Sequence, residues 1–548
     1  MMKKRIFLFV YPFFVFIVLF FCFSVLFSCI WLDLNFDITS FQQVLFHLRA
    51  PLGEAGDYQV YHFVLINIFP AFFIALVLSF PKKIYFIIHK ITLFVFKIFN
   101  PIFQFIYKEY PKLQFVILFT IAIISYYTAE HYLHLSGYWQ SRNKISTLYE
   151  NYYQDYDDSV LKNSDILKNN QPKQNLIVIF AESLTSALTS RTNPNGIGIH
   201  PESPFGNLTP YLGDVAAKHI NFSHNNRVGG IFQTEGTSWT AAALVAYLCG
   251  IPLNVPYENL SIDKHFLKSA VCVPDIFNQA GYKQVFLGGS NFVFAGKKHF
   301  LENHHIQVKD LVYLSNEDQV AKTILNNAPQ IRSWGIHDRI LMNLAKKELK
   351  QLSLQKEPFV LYLLTLDTHM PPTNESCELF SSNIRNKDGL KWGKYEKAFN
   401  CSDEVIQSFI EYIENSSLKE NTSIVILGDH EPHNFQIYSN NQRVPIYNVF
   451  INSLFEKELN NQNIQNIKNN KNNKNNFNDL IKNRKLTHFD MAPLLLESVG
   501  IPADSFGLGR NPFKQKSLLE SHFSLKELND EILLPNKKYD SFWQMPEK

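Results

Sequence analysis

From Ile6 to Leu32 the chain carries no charged residue. A hydrocarbon core about 30 Å thick is crossed by roughly 20 helical residues, so this run is long enough to span a bilayer. Lys3, Lys4 and Arg5 precede it, as they would in a secretory leader. The run exceeds the usual leader core and ends without a small-residue cleavage pattern, so the reading taken is an anchor that stays. Two further apolar runs, Val60 to Phe80 and Leu113 to Thr128, are expected to cross as well.

The stretch between them, Ile84 to Tyr107, is apolar, but Lys83, Lys90, Lys97 and Gln104 recur every seven residues. On a helix that spacing lines one face, the pattern of a helix lying in the membrane interface. If it does not cross, Lys82, Lys83, Lys90, Lys97, Lys108 and Lys112 all stay on the cytoplasmic side. Three crossings then place everything after Tyr127 outside, whereas a fourth would return it to the cytoplasm. Three is the expectation. With 52 basic against 49 acidic residues the chain lacks the basic excess of a nucleic-acid binder. Its 46% hydrophobic content and 18% charge exclude a mostly disordered chain.

The membrane part is assigned to residues 1–135, a polar juxtamembrane connector to 136–174, a globular domain to 175–525 and a tail to 526–548. Residues 460–483, rich in Asn and Lys, read as a low-complexity surface insertion in that domain. Cys249, Cys272, Cys377 and Cys401 lie in the soluble part, and four cysteines allow three pairings. The sequence-local one joins Cys249 to Cys272 and Cys377 to Cys401, and an oxidising compartment would permit both bridges.

Four short apolar runs, Leu176–Ala181, Val285–Leu287, Val360–Leu366 and Ser423–Leu427, show no polar alternation. That is the mark of parallel strands covered on both faces, and Trp239–Leu248 and Asp403–Asn415 have helical composition. The expected class is α/β, a mostly parallel central sheet covered by helices behind an N-terminal helical anchor. Ligands in such folds bind beyond the carboxyl ends of the strands. There the first strand gives Glu182-Ser183, the third Asp367-Thr368-His369 and the fourth Gly428-Asp429-His430-Glu431. A carboxylate after a strand is often only a helix cap. Carboxylates and imidazoles leaving one sheet edge together are a ligand set suited to a divalent cation such as Mn²⁺ or Zn²⁺.

Thr237 sits in a Gly-Thr-Ser turn before the helical run Trp239–Leu248. A helix start favours phosphate, which makes Thr237 a nucleophile candidate; the plainer alternative is a helix N-cap.

The segments NLIVIFAESL, EGTSWTAAALVAYLCGIPL, SWGIHD, TLDTHMPP and ILGDHE, with HFDMAPLLLESVGIP, GLGR and FWQMPEK further on, carry a resemblance. The chain resembles the membrane-bound phosphoglycerol transferases of the alkaline phosphatase and sulfatase superfamily that modify osmoregulated periplasmic glucans. Lipoteichoic acid synthases are more distant relatives. The resemblance implies that Glu182, Thr237, Asp429 and His430 bind one divalent metal, Mn²⁺ foremost with Zn²⁺ or Mg²⁺ as alternatives. It implies Thr237 as nucleophile and His369 as a catalytic residue that contacts the glycerophosphate. Where lipoteichoic acid synthases carry a Trp and an Arg, this chain reads GGSNFVFAGKK, so Lys297 is expected to supply the charge without the fork of an Arg. Asp338 and His433 are further substrate-binding candidates that a satisfied polar role would also explain.

By the same resemblance the protein is an enzyme of a bacterial cytoplasmic membrane, multi-pass, with its catalytic domain extracytoplasmic. It takes phosphoglycerol from phosphatidylglycerol through a glycerophospho-Thr237 intermediate, releases diacylglycerol and passes the group to an envelope glycan or polymer. Its partners are then that lipid, the glycan and the membrane, with no nucleic acid. A phosphoethanolamine transferase and a non-catalytic envelope-binding module are the alternatives; a true sulfatase is disfavoured because no Cys-x-Pro-x-Arg motif occurs.

Overall fold

The computed structural model describes residues 2–36, 40–51, 60–80, 96–141, 144–157, 159, 173–189, 208–255, 265–326, 334–370, 372–373, 375–378, 393–432, 445–468 and 480–544. They form two compact units, 1–44 with 56–140 and 45–55 with 141–548.

Among the described residues of the first unit, three helices are long and apolar enough to cross a membrane, over Tyr11–Asp33, Val60–Ser79 and Gln114–Leu133. Small residues let them approach: Ala71 and Ala75 are buried against Val15, Leu19 and Phe23. Two polar side chains reach the main chain of a neighbouring helix: Ser125 Oγ donates to the Cys22 carbonyl at 2.8 Å and Gln114 Nε2 to the Leu78 carbonyl at 2.9 Å. Phe13, Phe14, Phe21, Phe115 and Phe119 point outward. The third candidate span belongs to one helix, Phe96–Leu133, which also takes in the last part of the expected interfacial segment; residues 81–95 of that segment lie outside the described residues.

The second unit is built on a seven-stranded sheet ordered β2-β7-β6-β1-β5-β3-β4. Its strands are β1 Asn175–Ala181, β2 Gly230–Ile231, β3 Lys283–Gly288, β4 Gln307–Lys309, β5 Phe359–Leu364, β6 Thr422–Gly428 and β7 Ile446–Ile451. The β6–β1–β5–β3–β4 block is parallel, while β7 runs antiparallel to β6 and β2 to β7. Side chains alternate across a strand. Leu176, Val178 and Phe180 therefore enter one core with the helices Thr240–Cys249 and Met491–Glu497, and Ile177, Ile179 and Ala181 enter the other with Asp338–Ser353 and Lys394–Glu414. Burial on both faces is why β1 reads as an unbroken apolar run. Disulfides join Cys249 to Cys272 and Cys377 to Cys401, the sequence-local pairing.

Residues 45–55, grouped by sequence with the anchor, belong to this second unit. The cause is aromatic: Phe46, 1% exposed, lies 6.0 Å from Trp239 and 5.8 Å from Phe266, ring centre to ring centre.

Candidate active site

Strand register sets the centre. Ala181 lies opposite Gly428 in the β1–β6 pair, so the next residues, Glu182 and Asp429, leave the sheet side by side. Gly428 must be glycine, since a Cβ there would come within 1.8 Å of the Leu184 carbonyl oxygen. Ser183 takes a left-handed backbone, φ +56°, uncommon for a residue with a side chain and found where a site demands it. Its N–H donates to Asp429 Oδ1 at 2.7 Å, as does the His430 N–H at 2.8 Å.

Three of the expected ligands converge. His430 Nε2 lies 3.3 Å from Glu182 Oε1 and 3.3 Å from Asp429 Oδ2, and all three side chains are buried. The His430 Nδ1 lies 2.9 Å from the Glu431 carbonyl oxygen, which keeps a proton on Nδ1 and turns Nε2 to the carboxylates. Asp429 Oδ2 is buried and accepts no hydrogen bond. Burial works against charge on the imidazole, but the Asp429 and Glu182 carboxylates push His430 up to about 10. Burial and the Glu182 charge push Asp429 up to about 7, and Glu182, although burial opposes it, is held well below the usual carboxylate range by His430 and His369. Two buried carboxylates facing one imidazole call for positive charge between them, which the protonated imidazole supplies here and a bound cation would supply in place of that proton. The O/N donor set and the orphaned Asp429 oxygen fit a divalent metal held by Glu182, Asp429 and His430.

Hydroxyl groups brace this cluster. Ser183 Oγ donates to Glu182 Oε1 at 3.0 Å and Thr240 Oγ1 to Glu182 Oε2 at 3.3 Å. The Glu182 N–H donates to Thr365 Oγ1 at 2.8 Å, and Thr368 Oγ1 to the Glu182 carbonyl at 2.6 Å. Behind it, His488 Nε2 lies 2.8 Å from the Asp429 carbonyl oxygen. Ser183, Thr240, Thr365, Thr368 and His488 were not singled out from sequence. The first stands beside a ligand in the motif and His488 opens a recognised one; the threonines gave no separate signal.

Thr237 is fully buried, preceded by Gly236 at φ +69°. Its hydroxyl donates to the Thr234 carbonyl at 2.8 Å and accepts from the Thr234 N–H at 3.1 Å. It is not the cap of the helix Thr240–Cys249; that position is Trp239, with φ −146° and ψ 158°. Thr240, at the helix start, reaches Glu182, so the Thr237 turn is joined to the carboxylate–imidazole cluster through the helix that follows it.

His369 Nδ1 lies 2.9 Å from the Met370 carbonyl oxygen, its ring 4.8 Å from that of Trp334. Lys297 is 7% exposed and makes no hydrogen bond or ion pair with the described residues. Its Nζ stands 5.1 Å from the Phe294 ring centre and 5.6 Å from that of Phe292. Burial pulls it down to about 8, against the charges of Glu182 and Asp310. A buried cation set against ring faces, without a hydrogen bond or ion pair among the described residues, has the chemistry to receive an anion. Asp338 is placed otherwise: its carboxylate accepts from the Leu366 N–H at 2.6 Å and the Asp367 N–H at 3.0 Å, supporting the loop that carries His369. His433 lies outside the described residues. A second cluster, Cys249, Cys272 and His304, has its cysteines joined as a disulfide.

The sequence profile described as Sulfatase matches residues 174–479, more than half of the chain. The chain belongs to the sulfatase family. Over 384 residues this sulfatase-family chain is 30% identical to phosphoglycerol transferase I of Salmonella choleraesuis, a match covering 69% of this chain and 43% of that protein. Phosphoglycerol transferase I of Citrobacter koseri matches to the same extent, 30% over 384 residues with 69% and 43% covered. The match thus spans less than half the length of these curated relatives. Among solved structures, the lipoteichoic acid synthase LtaP from Listeria monocytogenes aligns with 65% of this chain and 81% of its own at 16% identity and a TM-score of 0.43.

Proposed function

We propose that this chain is a membrane-anchored phosphoglycerol transferase that draws on phosphatidylglycerol and uses Thr237 as a covalent nucleophile. The observation that carries the reading is the buried Glu182–Asp429–His430 cluster with its orphaned oxygen, joined through the helix Thr240–Cys249 to the Thr237 turn. The names of the 30%-identical relatives supply the group transferred.

Glu182, Asp429 and His430 would hold the divalent metal, with Mn²⁺ the first expectation and Thr237 a fourth ligand. When bound, the ion lowers the pKa of the Thr237 hydroxyl and draws charge from the phosphate. The chain's own residues do the rest. Lys297 binds the phosphodiester anion in a site that water does not screen. Thr237 Oγ1 forms a bond to phosphorus as the bond from phosphorus to the diacylglycerol oxygen breaks. The proton lost by Thr237 leaves on that oxygen, with His369 as its carrier. An acceptor hydroxyl then gives its proton to His369 and attacks phosphorus, and Thr237 is regenerated. The acceptor is an envelope glycan or polymer. With three crossings from a cytoplasmic N-terminus the catalytic unit would lie outside the cytoplasmic membrane, in reach of lipid headgroups and glycans together. The lysines from Lys82 to Lys112, in sequence between the second and third candidate spans, support that orientation.

The test is diacylglycerol release from labelled phosphatidylglycerol by the full-length protein loaded with Mn²⁺. Release that needs Thr237 supports the reading; metal-loaded protein that releases none sinks it.

A further inference from the structure

Leu45–Pro51 lies in sequence between the first two apolar helices, yet it is packed into the catalytic unit beside the buried Lys297. Phe46 is its anchor, set between Trp239 and Phe266. The Pro51 carbonyl accepts from the Ala295 N–H at 3.0 Å, where the backbone turns left-handed at Ala295 (φ +59°) and Gly296 (φ +68°) just before Lys297. Between these two attachments His47 stacks on Phe294, ring centres 5.8 Å apart and planes 22° from parallel, and lies 6.4 Å from Trp239.

Phe294 is the same ring that faces Lys297 Nζ, and its edge meets Trp334, which in turn meets His369. A chain of ring contacts thus runs from Trp239, two residues after the nucleophile candidate, through His47, Phe294 and Trp334 to His369. One of its rings, Phe294, faces the Lys297 ammonium. The segment 45–51 supplies one member of it, and that member is a side chain with both a donor and an acceptor. Aromatic rings with a few placed polar groups are the usual lining of a small-ligand site. The charge pattern bears on which ligand. Rings alone would favour a cationic headgroup, but a resident buried ammonium repels one and leaves room for an anion carrying a neutral, hydroxyl-rich group.

We propose that Leu45–Pro51 is one wall of the headgroup subsite and that His47 is a specificity-determining residue, hydrogen-bonding the hydroxyl groups of a neutral polyol headgroup. This rests on the phosphoglycerol reading above and adds a residue from outside the sulfatase-like segment to it. Burial and the Lys297 charge hold His47 down at about 4, so it meets the headgroup as a neutral imidazole.

The experiment compares wild type, His47→Phe, which keeps the ring stack, and His47→Gln, which keeps a donor and an acceptor. Each is purified as the full chain, loaded with Mn²⁺ and checked by metal content and melting curve. Diacylglycerol release is followed on vesicles of phosphatidylglycerol and of phosphatidylethanolamine, and glycerol phosphate binding by calorimetry. His47→Phe should raise KM for phosphatidylglycerol about tenfold, one lost hydrogen bond's worth, with kcat within about twofold, and its preference over phosphatidylethanolamine should fall in step. His47→Gln should recover much of both. Unchanged KM and preference in His47→Phe, or a fall in kcat alone, overturns the proposal. If metal-loaded wild type releases no diacylglycerol, the transferase reading fails by itself; glycerol phosphate binding then decides the wall, weakened in His47→Phe if it stands and unchanged if it falls.

Discussion

Asp338 and Asp367 hold each other's backbone: the Asp338 N–H donates to Asp367 Oδ2 at 3.0 Å, and the Asp367 N–H donates to Asp338 Oδ2 at 3.0 Å. Asp367 Oδ1 also lies 2.9 Å from His337 Nδ1, and Ser376 Oγ donates to Oδ2. Both carboxylates are buried, so neither can trade these partners for water. The pair ties the start of the helix Asp338–Ser353 to the loop after β5, which ends in His369.

Asp338→Ala should therefore act on the loop before it acts on substrate. It leaves the Leu366 and Asp367 amides without their acceptor, a loss of about 3 kcal/mol for bonds to a buried charge. The melting temperature should fall, kcat should fall with it as His369 loses its position, and metal content should stay at the wild-type level. A variant with an unaltered melting curve and a raised KM alone would return Asp338 to the role of a headgroup contact.

Glu182→Ala and Asp429→Ala should each lose the metal, because each removes a hard oxygen from a cluster whose atoms already lie within 4.8 Å of one another. The expected loss is at least about a hundredfold in affinity, read by titrating Mn²⁺ into stripped protein and by elemental analysis of the purified variants. Asp429→Ala should be the less stable of the two, since the Ser183 and His430 amides also lose their acceptor. Full metal occupancy in either variant would dismantle the centre argued from the strand ends.

Four strands of the parallel block, β1, β3, β5 and β6, were legible because burial on both faces leaves a continuous apolar run in each. β7 was not, because Asn448 interrupts it. That Asn is fully buried and bonds both ways to the backbone of Phe222, its Oδ1 taking the N–H at 2.9 Å and its Nδ2 giving to the carbonyl at 2.9 Å. It behaves as an extra rung of the sheet, which polarity alone does not reveal. β2 and β4 are two and three residues long, too short to show a pattern. In the site, Glu182, Asp429 and His430 were legible as residues leaving one sheet edge. Thr240, Thr365 and Thr368 were not, since their bonds to Glu182 exist only once distant segments meet. The same holds for Phe46 and His47, whose packing against Trp239 and Phe294 no local pattern signals.

A topology reporter fused after Gly137 checks which side the catalytic unit occupies. Among the described residues three helices have the length and composition to cross, and in sequence the lysines from Lys82 to Lys112 fall between the second and third of them. With those lysines in the cytoplasm, a reporter active only in the cytoplasm should stay silent, and one active only outside should give signal. The reverse pattern would put the active site on the wrong side for an envelope acceptor.

Thr237 gives the sharpest test, because its structural and chemical roles separate. The helix Thr240–Cys249 is capped at Trp239, so Thr237→Ala does not remove a cap. It removes two hydrogen bonds to the Thr234 main chain, worth about 1 kcal/mol each, and the variant should fold with a modestly lowered melting temperature. Metal should still bind through Glu182, Asp429 and His430. Diacylglycerol release from phosphatidylglycerol should drop by about a thousandfold or more, the scale of a lost covalent nucleophile and far beyond what so small a destabilisation explains. Thr237→Ser keeps the hydroxyl and should restore part of the rate, and a phosphoglycerol adduct on residue 237 should appear in wild type and in Thr237→Ser but not in Thr237→Ala. If Thr237→Ala, folded and metal-loaded, released diacylglycerol at close to the wild-type rate, Thr237 would be only a brace for its turn, and the covalent route through it would have to be abandoned.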